Sequence, residues 1–436
     1  METDIRNLRL LRRWAMVILT AIGICRATGS VAQSYTESVL FGFCDQCSKG
    51  YEPRSWLYRE STGNLFGTTL LGSNNGGTVF ELAYDGIKQK YSRQILHGFC
   101  TRDNCTDGAA PYSGLIADQS GNLYGTTSAK GTHDGGNIYE LVFDQVQQKW
   151  TYTILYSFCS RAACADGMTP YAGLTVDDSG NLYGTTYAGG AHGYGTVYEL
   201  AFDQTKQKWV EKVLYSFNCG TNTCPDGGNP ALGLYLDSNG NFFGTTTMGA
   251  NSVGAIFELS FDQAKQKWVE AVLYSFCGEK SCADGSSPSG RIAADSAGNL
   301  YGTTAGGGSH GQGTVYELSF SGNQWSYSVL YSFCSGETCP DGQTPSGILN
   351  VDATPTLTGT TYAGGANNSG TVYQLTYDQQ TKQWVHSILY SFCAKENCTD
   401  GDIPTAGVIP DGSGNFYGTT EAGDVDGTVF ELSPSQ

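Results

Sequence analysis

Apolar and polar side chains alternate along short segments throughout the chain. The segment Trp150–Phe158 (WTYTILYSF) shows this clearly, because an aromatic or aliphatic side chain occupies every second position. A period of two indicates a β-strand with two unlike faces, and aromatic side chains pack well on such pleated surfaces. Polar, glycine-containing turns separate these segments and helix signals are scarce, so we expect short strands joined by tight turns.

Four strands of this kind recur as a unit. In residues 111–158 the pattern predicts strand a at Gly114–Asp118, strand b at Asn122–Thr127, strand c at Asn137–Phe143 and strand d at Trp150–Phe158. Several a–b turns read Asp-x-Ser-Gly-Asn, a composition that favours tight turns. The Gly-Thr-Thr triplet that ends strand b occurs at 67–69, 125–127, 184–186, 244–246, 302–304, 359–361 and 418–420.

The two ends of the repeat region complement each other. A lone strand-d segment, Tyr35–Phe43, opens the region, and the last unit stops at Leu432, where its own strand d would be due. A ring closed by its first strand explains both ends, whereas an open solenoid is expected to carry atypical capping units. We therefore predict an all-β fold, a seven-bladed β-propeller of four-stranded blades whose last blade is closed by the N-terminal strand.

Strand direction then sorts the loops into two groups. Because strands alternate in direction across a blade, the d–a and b–c connections emerge on one face and the a–b and c–d turns on the other. The variable, glycine-rich loops all belong to the first group. We therefore expect a ligand to bind on this side, which is called the d–a/b–c face below.

The N-terminus is typical of a secretory signal. Several arginines precede the apolar run Trp14–Ile24, and small residues at Ser30–Ala32 offer a cleavage site. We predict a signal peptide at residues 1–32, cleavage after Ala32, and one propeller domain at residues 33–436 that is secreted or periplasmic. The apolar run is too short to span a bilayer comfortably, so the mature chain is expected to have no membrane span.

The cysteines support the same compartment. Of 15 cysteines, all except Cys25 fall in pairs within the d–a loops, and the insertion of Asn218 moves both members of one pair together. Their mutual spacing is what a covalent bond requires, so we expect disulfides in an oxidising compartment. Metal thiolates are the alternative, but two-cysteine loops on separate blades would leave each metal half-coordinated. The predicted pairs are Cys44–Cys47, Cys100–Cys105, Cys159–Cys164, Cys219–Cys224, Cys277–Cys282, Cys334–Cys339 and Cys393–Cys398.

Charge excludes one class of partner. The full chain has a formal net charge of −17. Loss of residues 1–32 removes five arginines and two acids, which leaves 24 − 5 = 19 basic and 41 − 2 = 39 acidic residues and a net charge of −20. A chain without a basic stripe is not expected to bind nucleic acid or an anionic membrane surface.

The repeat resembles a known family. The recurring DxxGNLYGTT, followed by GG-xxxx-GTVYEL and LYSF, resembles the GloVer (Gloeobacter/Verrucomicrobia) tandem repeat over about residues 35–432. The resemblance implies an exported bacterial protein, and it carries over neither catalytic residues nor an established activity.

Candidate ligand-binding residues lie in the d–a and b–c loops. An aspartate that recurs in Asp-Gly turns can bind a cation or sugar hydroxyls, or it can accept N–H bonds within its own turn. These aspartates are Asp107, Asp166, Asp226, Asp284, Asp341 and Asp400. The b–c loop histidines His133, His192 and His310 suggest zinc, or are simply exposed. Tyr112 and Tyr171 can stack on a sugar and still donate a hydrogen bond.

Other repeated acids fit a structural role better. Strand c carries Glu81, Glu140, Glu199, Glu258, Glu317 and Glu431, with Gln374 in the remaining blade. Paired carboxylates can hydrolyse glycosides, but equivalent environments and one Gln favour a repeated hydrogen bond. The Asp-x-Ser-Gly-Asn turns lack the alternating acids of a calcium loop.

The sequence contains no recognisable catalytic set. No Ser-His-Asp order, phosphate loop or dinucleotide fingerprint is present, so we predict no catalytic residue, metal or cofactor. The strongest departures from the repeat are Lys49 with Trp56 in the first copy and residues 352–358 in the sixth.

These patterns predict a monomeric binding or scaffolding module whose partner is a glycan, a cell-envelope component or another exported protein. The alternative is a polysaccharide-active hydrolase or lyase. Catalysis would be expected to break the repeat at one site, with unlike acids in the central channel.

Overall fold

Seven antiparallel sheets make up the molecule. A computed structural model describes residues 34–43, 49–220, 223–352, 356–423 and 426–435, which belong to one compact unit. The chain is a seven-bladed β-propeller, as its repeats predict. The predicted signal peptide and the Cys44–Cys47 pair lie outside the described residues.

In blades 1 to 6 the strands follow one another in the chain from strand a to strand d, whereas strand d of blade 7 comes from the N-terminus. In blades 1 to 3 they are Tyr58–Arg59, Leu65–Thr69, Thr78–Asp85 and Lys90–Gly98; Ile116–Ala117, Leu123–Thr127, Asn137–Asp144 and Lys149–Ser157; Thr175–Val176, Leu182–Thr186, Thr196–Asp203 and Lys208–Ser216. In blades 4 and 5 they are Tyr235–Leu236, Phe242–Thr246, Ala255–Asp262 and Lys267–Ser275; Ala293–Ala294, with an additional short strand at Ser286–Pro288, then Leu300–Gly306, Thr314–Ser321 and Gln324–Ser332. In blades 6 and 7 they are Gln343–Val351, Thr356–Ala363, Thr371–Asp378 and Gln383–Ser391; Val408–Pro410, Phe416–Thr420, Thr428–Pro434 and Tyr35–Gly42.

The N-terminal strand closes the ring. Tyr35–Gly42 pairs antiparallel with Thr428–Pro434, from Tyr35 opposite Pro434 to Gly42 opposite Thr428, with a register shift between Val39 and Phe41. The predicted closure of blade 7 is therefore confirmed. It covers the outer edge of strand c of this blade, which would otherwise present unpaired backbone groups.

The hydrophobic core is divided into seven clusters, one at each boundary between neighbouring blades. The phenylalanine that follows strand d is fully buried there and packs on a strand-c ring of the next blade. Phe99 lies 5.2 Å from Tyr139, and Phe43 lies 5.3 Å from Phe80, centroid to centroid. The glycine before the two threonines makes room for that ring, since a Cβ on Gly125 would lie 2.4 Å from the Tyr139 hydroxyl.

In blade 2, strand a is shorter than the sequence predicts. Only Ile116–Ala117 joins the ladder of blade 2, not Gly114–Asp118. The residues before it are held by the neighbouring blade instead, because Thr68 Oγ1 donates a hydrogen bond to the Ser113 carbonyl at 3.0 Å. Thr126 bonds the Ala172 carbonyl in the same way at 3.1 Å. In blades 1 to 4 the first threonine of the preceding triplet thus holds the segment that enters the central channel.

Within the described residues, six disulfides tie the d–a loops. The bonded pairs are Cys100–Cys105, Cys159–Cys164, Cys219–Cys224, Cys277–Cys282, Cys334–Cys339 and Cys393–Cys398. In four of these loops a short 3-10 turn ends at the second cysteine: Asp103–Cys105, Ala162–Cys164, Lys280–Cys282 and Glu396–Cys398. This number of disulfides fits an extracellular or periplasmic protein. In the described part of the chain, no helix is long and apolar enough to cross a membrane.

A double proline substitution tests the closure. Backbone N–H groups alternate in direction along a strand, so either Ser38 or Val39 directs its N–H toward the strand-c partners Glu431 and Phe430. Replacing both by proline should lower the free energy of unfolding by at least about 1–3 kcal/mol and expose an edge that promotes association. Chemical denaturation and size-exclusion chromatography measure the two effects.

The matched control replaces Ser38 and Val39 by threonine, which keeps both N–H groups and favours the strand conformation. This variant should unfold close to the wild type. A double-proline protein with the wild-type unfolding midpoint would contradict the closure.

Candidate functional site

The central channel opens on the d–a/b–c face as a cavity of about 320 Å³. All seven blades line it, each through the two or three residues that lead into strand a. In blades 1 to 4 a threonine hydroxyl of the preceding blade bonds a carbonyl of this segment, so the side chains of these segments project from a rigid frame. The cavity combines seven versions of one short segment around a single axis.

One position in this segment departs sharply from the repeat. In every blade a proline precedes the turn acid by seven residues, for example from Pro53 to Glu60 and from Pro111 to Asp118. The third residue after the proline is Trp56, Gly114, Gly173, Gly233, Arg291, Ile348 and Gly407 in blades 1 to 7. At this position four blades therefore have no side chain, and three have a large one.

Trp56 and Arg291 cross the channel over these glycines. A Cβ added to Gly114 would lie 2.5 Å from Trp56 Nε1, and one added to Gly173 would lie 2.3 Å from Trp56 Cη2. The Arg291 side chain covers Gly233 in the same way, with Cδ 3.2 Å from the position of an added Cβ. The glycines thus leave the space that the indole and the guanidinium occupy.

The same two side chains divide the channel into two chambers. Trp56 and Arg291 line both the outer cavity and a second cavity of about 350 Å³, which is bounded by strand-a residues of blades 1 to 3 such as Tyr58 and Val176. They form the wall between the chambers. A ligand that enters from the d–a/b–c face therefore meets the indole and the guanidinium at the end of the outer cavity.

The outer cavity is also asymmetric at the position directly after the proline. The residue directly after the proline is Arg54, Tyr112 or Tyr171 in blades 1 to 3, and Ala, Ser, Ser or Thr in blades 4 to 7. The Tyr112 and Tyr171 rings contact each other at 5.1 Å, and Tyr171 contacts Tyr187 at 5.5 Å. Aromatic groups are therefore concentrated on one side and small residues on the other. Burial raises the pKa of Tyr171, so its hydroxyl stays protonated at neutral pH.

The two arginines of the cavity differ in their partners. Arg54 forms ion pairs with Glu421 at 2.5 Å and Glu52 at 3.2 Å, at the boundary of blades 7 and 1. Burial raises the pKa of Glu421, and Arg54 opposes that shift. Arg291 donates to Thr175 Oγ1 at 3.1 Å, and burial lowers its pKa to about 10, so it remains a cation at neutral pH.

The predicted aspartates occupy a different position. They lie in the disulfide loops, buried or half-buried, and accept bonds from residues nearby in the chain. Asp166 accepts the Tyr156 hydroxyl at 2.7 Å and the Ser160 N–H at 2.9 Å. Asp400 accepts the Tyr390 hydroxyl and the Ala394 N–H at 2.7 and 2.8 Å. None of the six lines the outer cavity. Five of them accept the hydroxyl of a strand-d tyrosine and so link the disulfide loop to that strand, whereas Asp107 bonds Thr101 of its own loop.

The structure does not gather the predicted histidines into one site. His133, His192 and His310 are exposed in the b–c loops of blades 2, 3 and 5. Within the described ranges, no three His, Cys, Asp or Glu residues are placed to hold a metal ion. The strand-c acids bond within their blades, as when Glu140 accepts the Tyr124 hydroxyl at 2.9 Å. In blade 6, Gln374 takes the place of the acid and donates a hydrogen bond to Thr358 Oγ1.

Of the predicted binding residues, the structure brings Tyr112 and Tyr171 to the cavity. It adds Trp56, noted in the sequence only as an irregularity, and Arg54 and Arg291, which sequence reasoning missed. A comparison of one position across all seven copies would have found both arginines, because each replaces a small residue or an aromatic ring.

Comparisons with known proteins agree with this architecture. The family model described as the Gloeobacter/Verrucomicrobia repeat matches residues 53–283 and 267–436. No curated protein matches. Among solved structures, a polysaccharide lyase of family PL25, an ulvan lyase, superposes with a TM-score of 0.54 at 10% identity, covering 90% of this chain and 95% of that one. A candidate 6-phosphogluconolactonase from Bacteroides uniformis superposes with a TM-score of 0.46 at 12% identity, covering 77% and 84% of the two chains. At these identities the likeness concerns the fold alone.

One buried acid outside the cavity has an unusual environment. Glu270 of blade 4 occupies the strand-d position that holds Glu211 in blade 3, where Arg161 pairs with the carboxylate at 2.5 Å. Burial raises the pKa of Glu270 to about 8, and Asp226 adds to the shift. Glu270 Oε1 has no hydrogen-bond partner among the described residues. Folding therefore favours the protonated form of Glu270.

Stability should consequently fall as the pH rises. Because the pKa of Glu270 is higher in the folded than in the unfolded chain, the folded state binds more protons between about pH 4.5 and 8. Glu270→Gln removes this dependence and should raise the free energy of unfolding by on the order of a few kcal/mol at pH 9, with little change at pH 4. Urea denaturation over this pH range measures the difference. Glu279→Gln, at an exposed site, is the control, and equal pH profiles for both variants would contradict the assignment.

A double-mutant cycle tests the position of Trp56. Gly173→Ala should cost about 1–3 kcal/mol of stability, because its methyl group overlaps the indole. In a Trp56→Gly background, the same substitution should cost little. Urea denaturation of the four proteins gives the coupling energy.

Gly233→Ala is the control for this cycle. Its added methyl group meets Arg291 and not Trp56, so its cost should be the same in both backgrounds. If Gly173→Ala also costs the same in both, the indole does not cover Gly173.

Proposed function

The chain belongs to the Gloeobacter/Verrucomicrobia repeat family, and we propose that it is an exported carbohydrate-binding propeller that holds a sugar of a glycan in its outer axial cavity. The observation that carries this proposal is the convergence of non-repeated aromatic side chains from blades 1 to 3 on that cavity. Glycans of the cell envelope or of the surroundings are the partners expected for a protein of an oxidising compartment.

The aromatic groups supply the stacking surface. Trp56 lies at the end of the cavity, and Tyr112 and Tyr171 form one wall. Sugar rings present C–H faces that pack on aromatic faces, while a tyrosine hydroxyl still donates a hydrogen bond. An aromatic floor and side wall therefore suit a sugar ring better than an extended peptide.

Polar groups and volume fit the same ligand. Ser113, Ser289 and Thr405 bring hydroxyl-bearing residues to the lining, next to backbone carbonyls and N–H groups. About 320 Å³ is at the lower end of the range of small-molecule sites, roughly 300–1,000 Å³. The cavity ends at Trp56 and Arg291. It therefore suits a chain end or a branch rather than the middle of a long polymer.

The chemistry of the lining favours binding over catalysis. Among the described residues that line the outer cavity, none is Asp, Glu or His. Hydrolysis of glycosides usually requires two carboxyl groups that flank the bond, and the repeated carboxylates of this chain are engaged in loops and between strands. The ulvan lyase shares the fold at 10% identity, which transfers no activity.

Glycan binding by the oxidised protein tests the proposal. A glycan array should give saturable hits, and calorimetry with the best hit should show that Trp56→Gly and Tyr171→Ala each weaken binding about tenfold, as the loss of one aromatic contact implies. Trp56→Gly introduces the residue that four other blades carry there, which limits the risk of misfolding.

Tyr362→Ala is the matched control. Tyr362 is 42% exposed near the start of the b–c loop of blade 6 and does not line the cavity, so its loss should leave the affinity unchanged. Absence of any saturable hit, or hits that none of the cavity substitutions weakens, would refute the proposal.

A further inference from the structure

We propose that Arg291 binds an oxyanion on the sugar, so that the ligand of the outer cavity is an acidic saccharide bearing a carboxylate or a sulfate ester. This inference rests on the proposed glycan function and specifies its substrate class. The juxtaposition that carries it is a guanidinium without an acidic partner, held beside an indole at the end of a cavity.

The other described arginines either pair with carboxylates or lie over aromatic rings, with Arg59 over Tyr417, Arg93 over Phe41 and Arg102 over Tyr152. Arg54 is paired with Glu421 and Glu52, and Arg161 is paired with Glu211. For Arg291 no carboxylate lies within ion-pair distance among the described residues, and its hydrogen-bond partner there is the neutral Thr175 hydroxyl. Arg291 is therefore a cation whose charge the folded chain leaves uncompensated.

Such a position opposes stability. A buried charge without a counter-ion costs free energy, and desolvation lowers the pKa of Arg291 to about 10. Glycine occupies the same position in four blades, so the propeller does not need a cation here. An arginine that the fold does not require, placed where a ligand would end, is explained by a ligand that supplies the negative charge.

The geometry also suits an oxyanion. A guanidinium has five N–H donors in a planar fork that matches a carboxylate or sulfate. The bond to Thr175 uses one Nη2 donor, and it orients the group across the channel from blade 5 to blade 3. The remaining donors are available to a ligand in the chambers that Arg291 lines. Trp56 lines the same two cavities, and a charge-assisted bond is stronger beside an apolar ring than in bulk water.

Paired probes test the charge of the ligand. Oligogalacturonate and hyaluronan oligosaccharides are compared with their carboxyl-reduced counterparts, and sulfated galactan oligosaccharides with their desulfated counterparts, by calorimetry on the oxidised full-length protein. At least one acidic probe should bind at least about tenfold more tightly than its neutral counterpart, as expected for a charge-assisted bond. The carboxylate and sulfate arms show which oxyanion is preferred.

Variants of Arg291 connect this preference to the residue. Arg291→Met should reduce the affinity for the acidic probe about 10- to 100-fold and remove the difference between acidic and neutral forms. Arg291→Lys retains the charge and should retain the preference. Arg102→Met is the control, because Arg102 is an exposed residue of a d–a loop that does not line the cavity. Thermal unfolding confirms that each variant is folded.

The outcomes separate this inference from the proposed function. Equal affinity for acidic and neutral probes, or a preference that survives in Arg291→Met, overturns the anion inference and leaves glycan binding intact. Failure of the wild type to bind any probe or array glycan, acidic or neutral, overturns both.

Discussion

The packing of one phenylalanine ring between blades is the interaction on which the propeller depends. At each boundary the residue that ends the LYSF segment is buried and meets a strand-c ring of the following blade, as Phe99 meets Tyr139. Its N–H also bonds a carbonyl of its own b–c loop, as Phe99 does with Gly77 at 3.0 Å. Each of these phenylalanines packs on the next blade only, so these contacts form a complete circle only if the ends of the chain join. Phe43 makes the last of them, and the closing strand therefore contributes side-chain packing as well as a ladder of hydrogen bonds.

This constraint explains which positions repeat and which do not. The ring-to-ring contact needs glycine at Gly125 and its equivalents, because any Cβ would overlap the strand-c ring. At the axis, by contrast, the available space does not allow the same large residue in every blade. Trp56 alone covers Gly114 and Gly173, so seven large side chains cannot fit at that level of the channel. The sterics of a narrow axis make the lining asymmetric, and an asymmetric cavity is what a specific ligand requires.

Most of the fold could be predicted from the sequence, but less of the candidate site could. Period-two alternation and complementary ends predicted the blades and the role of Tyr35–Phe43 in closing the ring. The extent of strand a was wrong, because a threonine hydroxyl of the preceding blade captures carbonyls such as that of Ser113. Tyr112 and Tyr171 lie in the cavity, yet Arg291 was not recognised. Its significance depends on where seven segments meet around an axis, a relation that no single repeat displays.

The acidic composition of the chain has a structural explanation that does not involve cation binding. Carboxylates such as Asp166 and Glu140 accept hydroxyl or N–H bonds within their own repeat, and they account for much of a net charge of −17. Each is repeated because each performs the same local task in every blade. At the axis, the charge of Arg291 has the opposite sign and is not repeated at the equivalent position of any other blade. A repeated group whose bonds are satisfied supports the fold, whereas Arg291, which has no carboxylate partner among the described residues, is better explained by the proposed ligand recognition than by stability.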